Sequence, residues 1–186
     1  MDDDMILNMY WVRCESAIDE TAKKYGNYCA VIAKNILNNN EDSEECVNDT
    51  YLKTWESIPP QRPLLFRSFL GKITRNLALN KYKELRTQKR GGGEVALLFS
   101  ELEDCIPSSS NVELECEAGI VIDAINKCLM SMNDENRTVF VRRYWYADSI
   151  GAIASRCQMS ESKVKSMLFR TRNILKNHLE NEGVVV

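Results

Sequence analysis

Asp148–Arg172, DSIGAIASRCQMSESKVKSMLFRTR, decides the fold. At about 100° per residue, Val164, Leu168, Thr171, Leu175 and Leu179 fall on one stripe, the pattern of a helix packed on a core. Ser160 is a good N-cap for that helix, and Glu161 suits the positive end of its dipole. Opposite the stripe lie Ser162, Ser166, Phe169 and Asn173, with Lys163, Lys165, Arg170 and Arg172 along the flanks. Upstream, DSIGAIASR reads as a short helix and CQM as a turn, which gives helix-turn-helix proportions with Ile150, Ile153 and Ala154 against Val164 and Leu168. Small hydroxyls and an apolar ring framed by cations suit a major groove, where cations hold phosphates and the face meets base edges and thymine methyls. Taken alone, the segment also reads as a plain helical hairpin whose Phe169 packs under a loop, so the rest of the chain decides.

Outward from that segment, every strongly periodic stretch has the helical period and the two-residue alternation of strands is scarce, which predicts a nearly all-α chain. Helices are expected near 6–37, 43–57, 64–88, 113–131, 134–146, 149–156 and 160–180, the first broken near Gly26. In EDSEECVNDTYLKTW, from Glu41, Asp42 is the expected N-cap, with Glu45 at the capping-box spacing. IPPQRP, from Ile58, ends that helix because proline lacks an amide and restricts the residue before it. RGGG and IPSSS bracket an acidic stretch whose glycine, proline and serine flanks suit an extended linker. The expected organisation is an N-terminal helical domain over 1–92, an acidic flexible linker over 93–112 and a C-terminal helix-turn-helix domain over 113–186.

Composition excludes several classes. A chain of 186 residues with 44% hydrophobic content can build one large core or two small ones. No apolar run approaches the ~20 residues of a membrane span. The start, MDDDMILNMY, is acidic where a secretory signal is basic, so a cytoplasmic protein with no membrane insertion is expected. Seven cysteines, at 14, 29, 46, 105, 116, 128 and 157, form no C-x-x-C pair. They read as structural thiols. His178 is the single histidine, and no nucleophile or phosphate-loop motif appears. Neither an enzyme nor a metal or other cofactor is expected.

The formal charge of −3 hides strong segregation. Arg62–Arg90 carries nine basic residues against Glu84 alone. Glu94–Glu135 carries ten acids against Lys127, and Asn136–Leu179 carries nine basic residues against Asp148 and Glu161. Two cationic blocks separated by an acidic one suggest two phosphate-facing surfaces, with a strap that avoids them or covers them when idle. In the first block, a helix from about Leu64 puts Phe66, Phe69, Leu70, Ile73 and Leu77 on one face. Arg75, Leu79, Tyr82 and Arg86 share the other, near Lys72 and Lys83. An exposed tyrosine among cations suits unpaired nucleic acid, whose bases stack on aromatic rings for ~1–3 kcal/mol each. The alternative for Tyr82 and Leu79 is that they cover part of the N-terminal bundle. Asn80 falls on the apolar side and is expected to need a buried partner.

With both blocks in view, the chain resembles the small sigma factors of bacterial RNA polymerase, the extracytoplasmic-function group of the sigma-70 family. EDSEECVNDTYLKTW is similar to that family's core-polymerase-binding helix, with Asn48 and Asp49 where glutamine and glutamate are usual. FRSFLGKITRNLALNKYK is similar to the helix that meets the melted minus-ten element, with Asn80 in place of aspartate. The stretch from Ser131 to Arg172 is similar to the helix-turn-helix that reads the minus-thirty-five element. There Gly151 and Ala152 replace a common pair of glutamates, and Lys163 and Met167 stand where threonine and arginine are frequent.

The resemblance implies three sets of residues. Asp42, Glu45, Asn48, Asp49 and Trp55 would bind core polymerase. Arg62, Phe66, Lys72, Arg75, Asn76, Asn80, Tyr82, Lys83 and Arg86 would meet the minus-ten DNA, with a base flipped from the non-template strand held by the loop from Ser57 to Phe66 and the start of the next helix. Ser160, Ser162, Lys163, Lys165, Ser166, Phe169, Arg170 and Arg172 would contact the duplex upstream element. The acidic strap would thread the core enzyme near nascent RNA, and an anti-sigma factor is a partner the family often has. Two other classes stay open: a self-sufficient helix-turn-helix regulator, and a protein-interaction adaptor that leaves both cationic stripes unexplained. Net negative charge and the lack of a dimer seam favour a subunit that relies on polymerase.

Overall fold

A computed structural model describes residues 1–88, 94–103 and 115–182. All regular secondary structure among them is helical: α1 Asp3–Trp11, α2 Ser16–Leu37, α3 Asn40–Ser57, α4 Phe66–Gln88, α5 Glu94–Glu103, α6 Glu115–Ser131, α7 Asp134–Tyr144, α8 Ile150–Cys157 and α9 Glu161–Asn181. The chain forms two compact units, Met1–Gly91 and Gly92–Val186. Among the described residues no helix is long and apolar enough to cross a membrane.

In the first unit α2, α3 and α4 pack on one another and α1 packs on α2. Their core joins Ile6, Tyr10, Cys29, Ile58, Phe66 and Leu70. Phe66 meets Tyr10 and Tyr25 edge to face at 5.9 and 5.8 Å between centroids, a geometry that adds to their area burial. Buried threonines complete this core. Thr21, Thr50, Thr54 and Thr74 each donate their hydroxyl to the carbonyl four residues earlier. That bond satisfies the polar atom and leaves the methyl to pack.

Three local expectations are corrected. Gly26 does not break a helix; it lies inside α2, where a Cβ would stand 3.1 Å from the Tyr51 hydroxyl, so the small residue serves the approach of α3. The break falls at 12–15 instead, where Arg13 takes a left-handed backbone at φ 57°. The N-cap of α3 is Asn39, not Asp42: its side chain accepts from the amides of Glu41 and Asp42 at 2.9 and 3.4 Å. The acidic segment read as linker is helical over Glu94–Glu103 and belongs to the second unit; the rest of that linker, 104–112, lies outside the described residues.

Gly71 and Gly151 sit inside helices for opposite reasons. A Cβ on Gly71 would overlap the Tyr28 hydroxyl and approach its ring carbons to 3.0–3.2 Å. A Cβ on Gly151 would meet only the mobile end of Glu161, at 3.3 Å. Alanine gains about 1 kcal/mol of helix propensity over glycine at either position, but overpacking at Gly71 costs about 1–3 kcal/mol. Thermal melts should therefore show Gly151→Ala raising Tm and Gly71→Ala lowering it; the same sign for both would refute the close approach of Tyr28.

In the second unit α9 packs against α6, α7 and α8. Its stripe is as expected: Val164, Leu168, Thr171, Leu175 and Leu179 are all buried, and Met167 joins them. Ile153 and Ala154 of α8 are buried with it. Ser160 caps α9, its hydroxyl accepting from the Lys163 amide at 3.2 Å, as Ser149 caps α8.

Candidate nucleic-acid and polymerase interface

The helix-turn-helix of the second unit presents one open face. Ser162, Lys165, Ser166, Phe169, Arg170 and Asn173 are exposed. Phe169 is 59% exposed, so the ring does not pack under a loop. The flanking cations differ. Lys163 pairs with Glu135 of α7 at 3.0 Å, half exposed on both sides. Arg170 donates to the Ser166 carbonyl, at 3.3 Å, on its own helix.

Arg172 is corrected as an open flank cation. Its guanidinium donates to the Tyr144 hydroxyl at 2.7 Å and lies 3.7 Å from Glu101 of α5. Glu101 also accepts from Tyr144 at 2.9 Å and from Arg143 at 3.0 and 3.3 Å. Burial alone would raise the Glu101 pKa; the hydrogen bonds from Arg143 and Tyr144 and the charges of Arg143 and Arg172 hold it below the usual range.

In the first unit, the end of α3 and the first turns of α4 enclose a cleft of about 440 Å³. Its lining is Lys53, Ser57, Gln61, Phe69, Lys72, Ile73, Asn76, Leu77 and Asn80. Phe69, Ile73 and Leu77 give it apolar surface, three amides supply donors and acceptors, and two lysines supply positive charge. This matches the needs of an extruded base and its phosphate: a ring face, hydrogen-bonding edges and a cation. Asn80 is exposed at this cleft, not buried with a partner as the periodicity suggested. Lys53, Phe69, Ile73 and Leu77 were absent from the sequence-derived set. The shared face of Phe69, Ile73 and Leu77 was visible in the period, yet it looked like core.

The other minus-ten candidates separate. Phe66 is withdrawn, because it is 1% exposed and sits between Tyr10 and Tyr25. Tyr82 is not an exposed stacking ring: it is half-buried and its hydroxyl is shielded from water. Arg75 is half-buried, and burial lowers its pKa. Arg62 is exposed beside α1, donating to Asn8 at 2.8 Å and lying 5.9 Å from the Trp11 ring centre. Lys72, Asn76 and Lys83 are exposed. The Arg86 side chain lies outside the described residues.

Of the candidates on α3, Asn48 and Asp49 are exposed, with Leu52, 58% exposed, beside them one turn on. Asp42 and Glu45 are engaged within the fold instead, both pairing with Lys81 of α4. Trp55 is corrected as a contact residue. It packs on the core against Tyr10, with the Arg13 guanidinium 5.2 Å from its ring centre and bonded to its carbonyl.

Residues 22–90 match the family described as Sigma-70 region 2, and residues 122–175 match Sigma-70, region 4. The chain is 23% identical over 167 residues to the probable RNA polymerase sigma factor RfaY of Xanthomonas campestris pv. campestris. That alignment covers 89% of this chain and 41% of the relative, so the chain spans about two fifths of the relative's length. Among solved structures, CnrH in complex with the cytosolic domain of CnrY covers 96% of this chain and 97% of that one, at 17% identity and a TM-score of 0.43.

Proposed function

Since the chain belongs to the sigma-70 family, carrying its region 2 and its region 4, we propose that it binds core RNA polymerase, directs it to specific promoters and assists their melting. It is then a non-catalytic transcription factor of the small two-region kind, working in the cytoplasm where polymerase and promoter DNA are found. The observation that supports this reading is the presence, in one chain, of a cleft lined by amides and lysines and of an open helix face flanked by cations. The first unit has a cleft of a size and chemistry for an extruded base, and the second has an open helix face suited to a duplex groove. A self-sufficient regulator needs only the second. The exposed Asn48 and Asp49 of α3 supply the polymerase contact, and an anti-sigma factor is the further partner that the family resemblance adds.

Run-off transcription with purified core polymerase tests it. A transcript that starts at one promoter and requires both core and this chain is the expected result. Sequence-specific duplex binding by the chain alone, with no core-dependent transcript, would establish the regulator instead.

Within this reading, the cleft acts in opening, because it can engage a base only after the base leaves the stack. Lys72→Ala/Asn76→Ala removes one charge and one amide from exposed positions of α4. Holoenzyme with this double variant should hold closed complexes normally but show about ten-fold less permanganate reactivity in the melted region, near 1.4 kcal/mol. Reactivity equal to wild type would take the cleft out of melting.

A further inference from the structure

Arg143 poses a question that promoter reading does not answer. Its side chain is 1% exposed, which makes it the largest fully buried side chain described. A guanidinium so placed needs an anion and further acceptors. The Asp148 carbonyl supplies one acceptor, at 3.2 Å. The anion comes from α5: Glu101 faces the Arg143 fork with both carboxylate oxygens, and Tyr144 and Arg172 close on the same group. Two guanidinium groups and a phenol thus surround one carboxylate.

We propose that Arg143, Tyr144 and Arg172 form an anion site, filled here by Glu101 of α5, that takes a DNA backbone phosphate once α5 leaves. The inference rests on reading the second unit as a promoter-binding module. A phosphodiester carries one charge and two free oxygens, so it meets a guanidinium fork as a carboxylate does. Arg172 is on the same helix as the reading face, three residues beyond Phe169, which places the site at the flank where a backbone would run. The occupant is built to be exchanged. α5 is ten residues long, too short to hold its own helix in water, and Val95 and Leu98 are its buried apolar side chains among those described. In this arrangement Glu101 holds Arg172 out of the DNA interface, and a partner that draws α5 away releases a cation at the groove edge.

The test measures binding of the 186-residue chain to a labelled mixed-sequence duplex over a range of salt. Glu101→Gln should tighten binding about three- to ten-fold at low salt and steepen the salt dependence by about one phosphate contact. Glu180→Gln, the same charge change at an exposed position of α9, should give less than half that gain. Arg172→Ala should cost at least three-fold more in the Glu101→Gln background than in wild type. An affinity and slope unchanged by Glu101→Gln, or a gain that survives Arg172→Ala, would overturn the site. If circular dichroism shows that Glu101→Gln unfolds the unit, Glu101→Asp replaces it; a smaller gain in the same direction supports the proposal and no gain overturns it. Arg170→Ala keeps the two readings apart. If it weakens binding while Glu101→Gln does nothing, only this proposal fails; if it too is silent, the promoter-binding reading of α9 fails first.

Discussion

Asp49→Arg should abolish co-purification of the chain with core polymerase, a loss of at least about 100-fold in affinity, while circular dichroism stays unchanged. α3 separates its two sides cleanly. Ser43, Cys46, Thr50 and Thr54 are buried, whereas Glu44, Asn48, Asp49, Leu52 and Glu56 face solvent. Arginine is a good helix former, so the substitution alters the surface and spares the helix. Charge reversal places like charges opposite one another across an interface, at a cost of several kcal/mol. Asp42 and Glu45 make weaker probes, because both pair with Lys81 and removing either also weakens the α3–α4 contact. Core binding undiminished by Asp49→Arg would remove α3 from the polymerase interface.

The residues that were legible in the sequence are those whose burial follows one strong period. The stripe from Val164 to Leu179 is aliphatic but for Thr171, and every member is buried. The first unit was harder because its helices hide polar residues inside. Thr50 and Thr54 of α3 and Thr74 of α4 count as polar in a periodicity reading, but each ties its hydroxyl to its own helix and packs by its methyl. That concealment explains the exchange of faces on α4. The apolar run Phe69, Ile73, Leu77 looked like core and instead lines the cleft, while the core takes Phe66, Leu70, Thr74 and Ala78. Phe66 points to DNA by the family resemblance and Tyr82 by its place among cations, yet the packing turns both inward. The α5 helix was missed for a related reason: acidic residues between glycine and proline clusters read as linker, and what positions it is a long-range pairing of Glu101 with Arg143, 42 residues away. No local pattern carries such a pairing.

Phe169→Ala should leave the melting temperature nearly unchanged and shift promoter choice, the reverse of what a core phenylalanine would do. Removing a buried phenylalanine costs about 3–5 kcal/mol of stability, yet Phe169 is 59% exposed and the stripe behind it, Leu168 and Thr171, is sealed without it. On the open face it stands between Ser166 and Asn173, one turn to either side, where an apolar ring can meet a thymine methyl and hydroxyl or amide groups can meet base edges. Loss of the ring should therefore penalise promoters carrying the contacted thymine by about 1–3 kcal/mol and spare the others. Arg170→Ala gives the contrasting pattern: its exposed guanidinium reaches backbone, so all promoters weaken alike and the salt slope falls by about one. The measurement is selection from a promoter library randomised across the upstream element, with holoenzyme built from each variant and melting curves run in parallel. A preferred sequence unaltered by Phe169→Ala would remove the ring from base recognition. If Tm fell by many degrees as well, the phenylalanine would belong to the packing of the unit in solution.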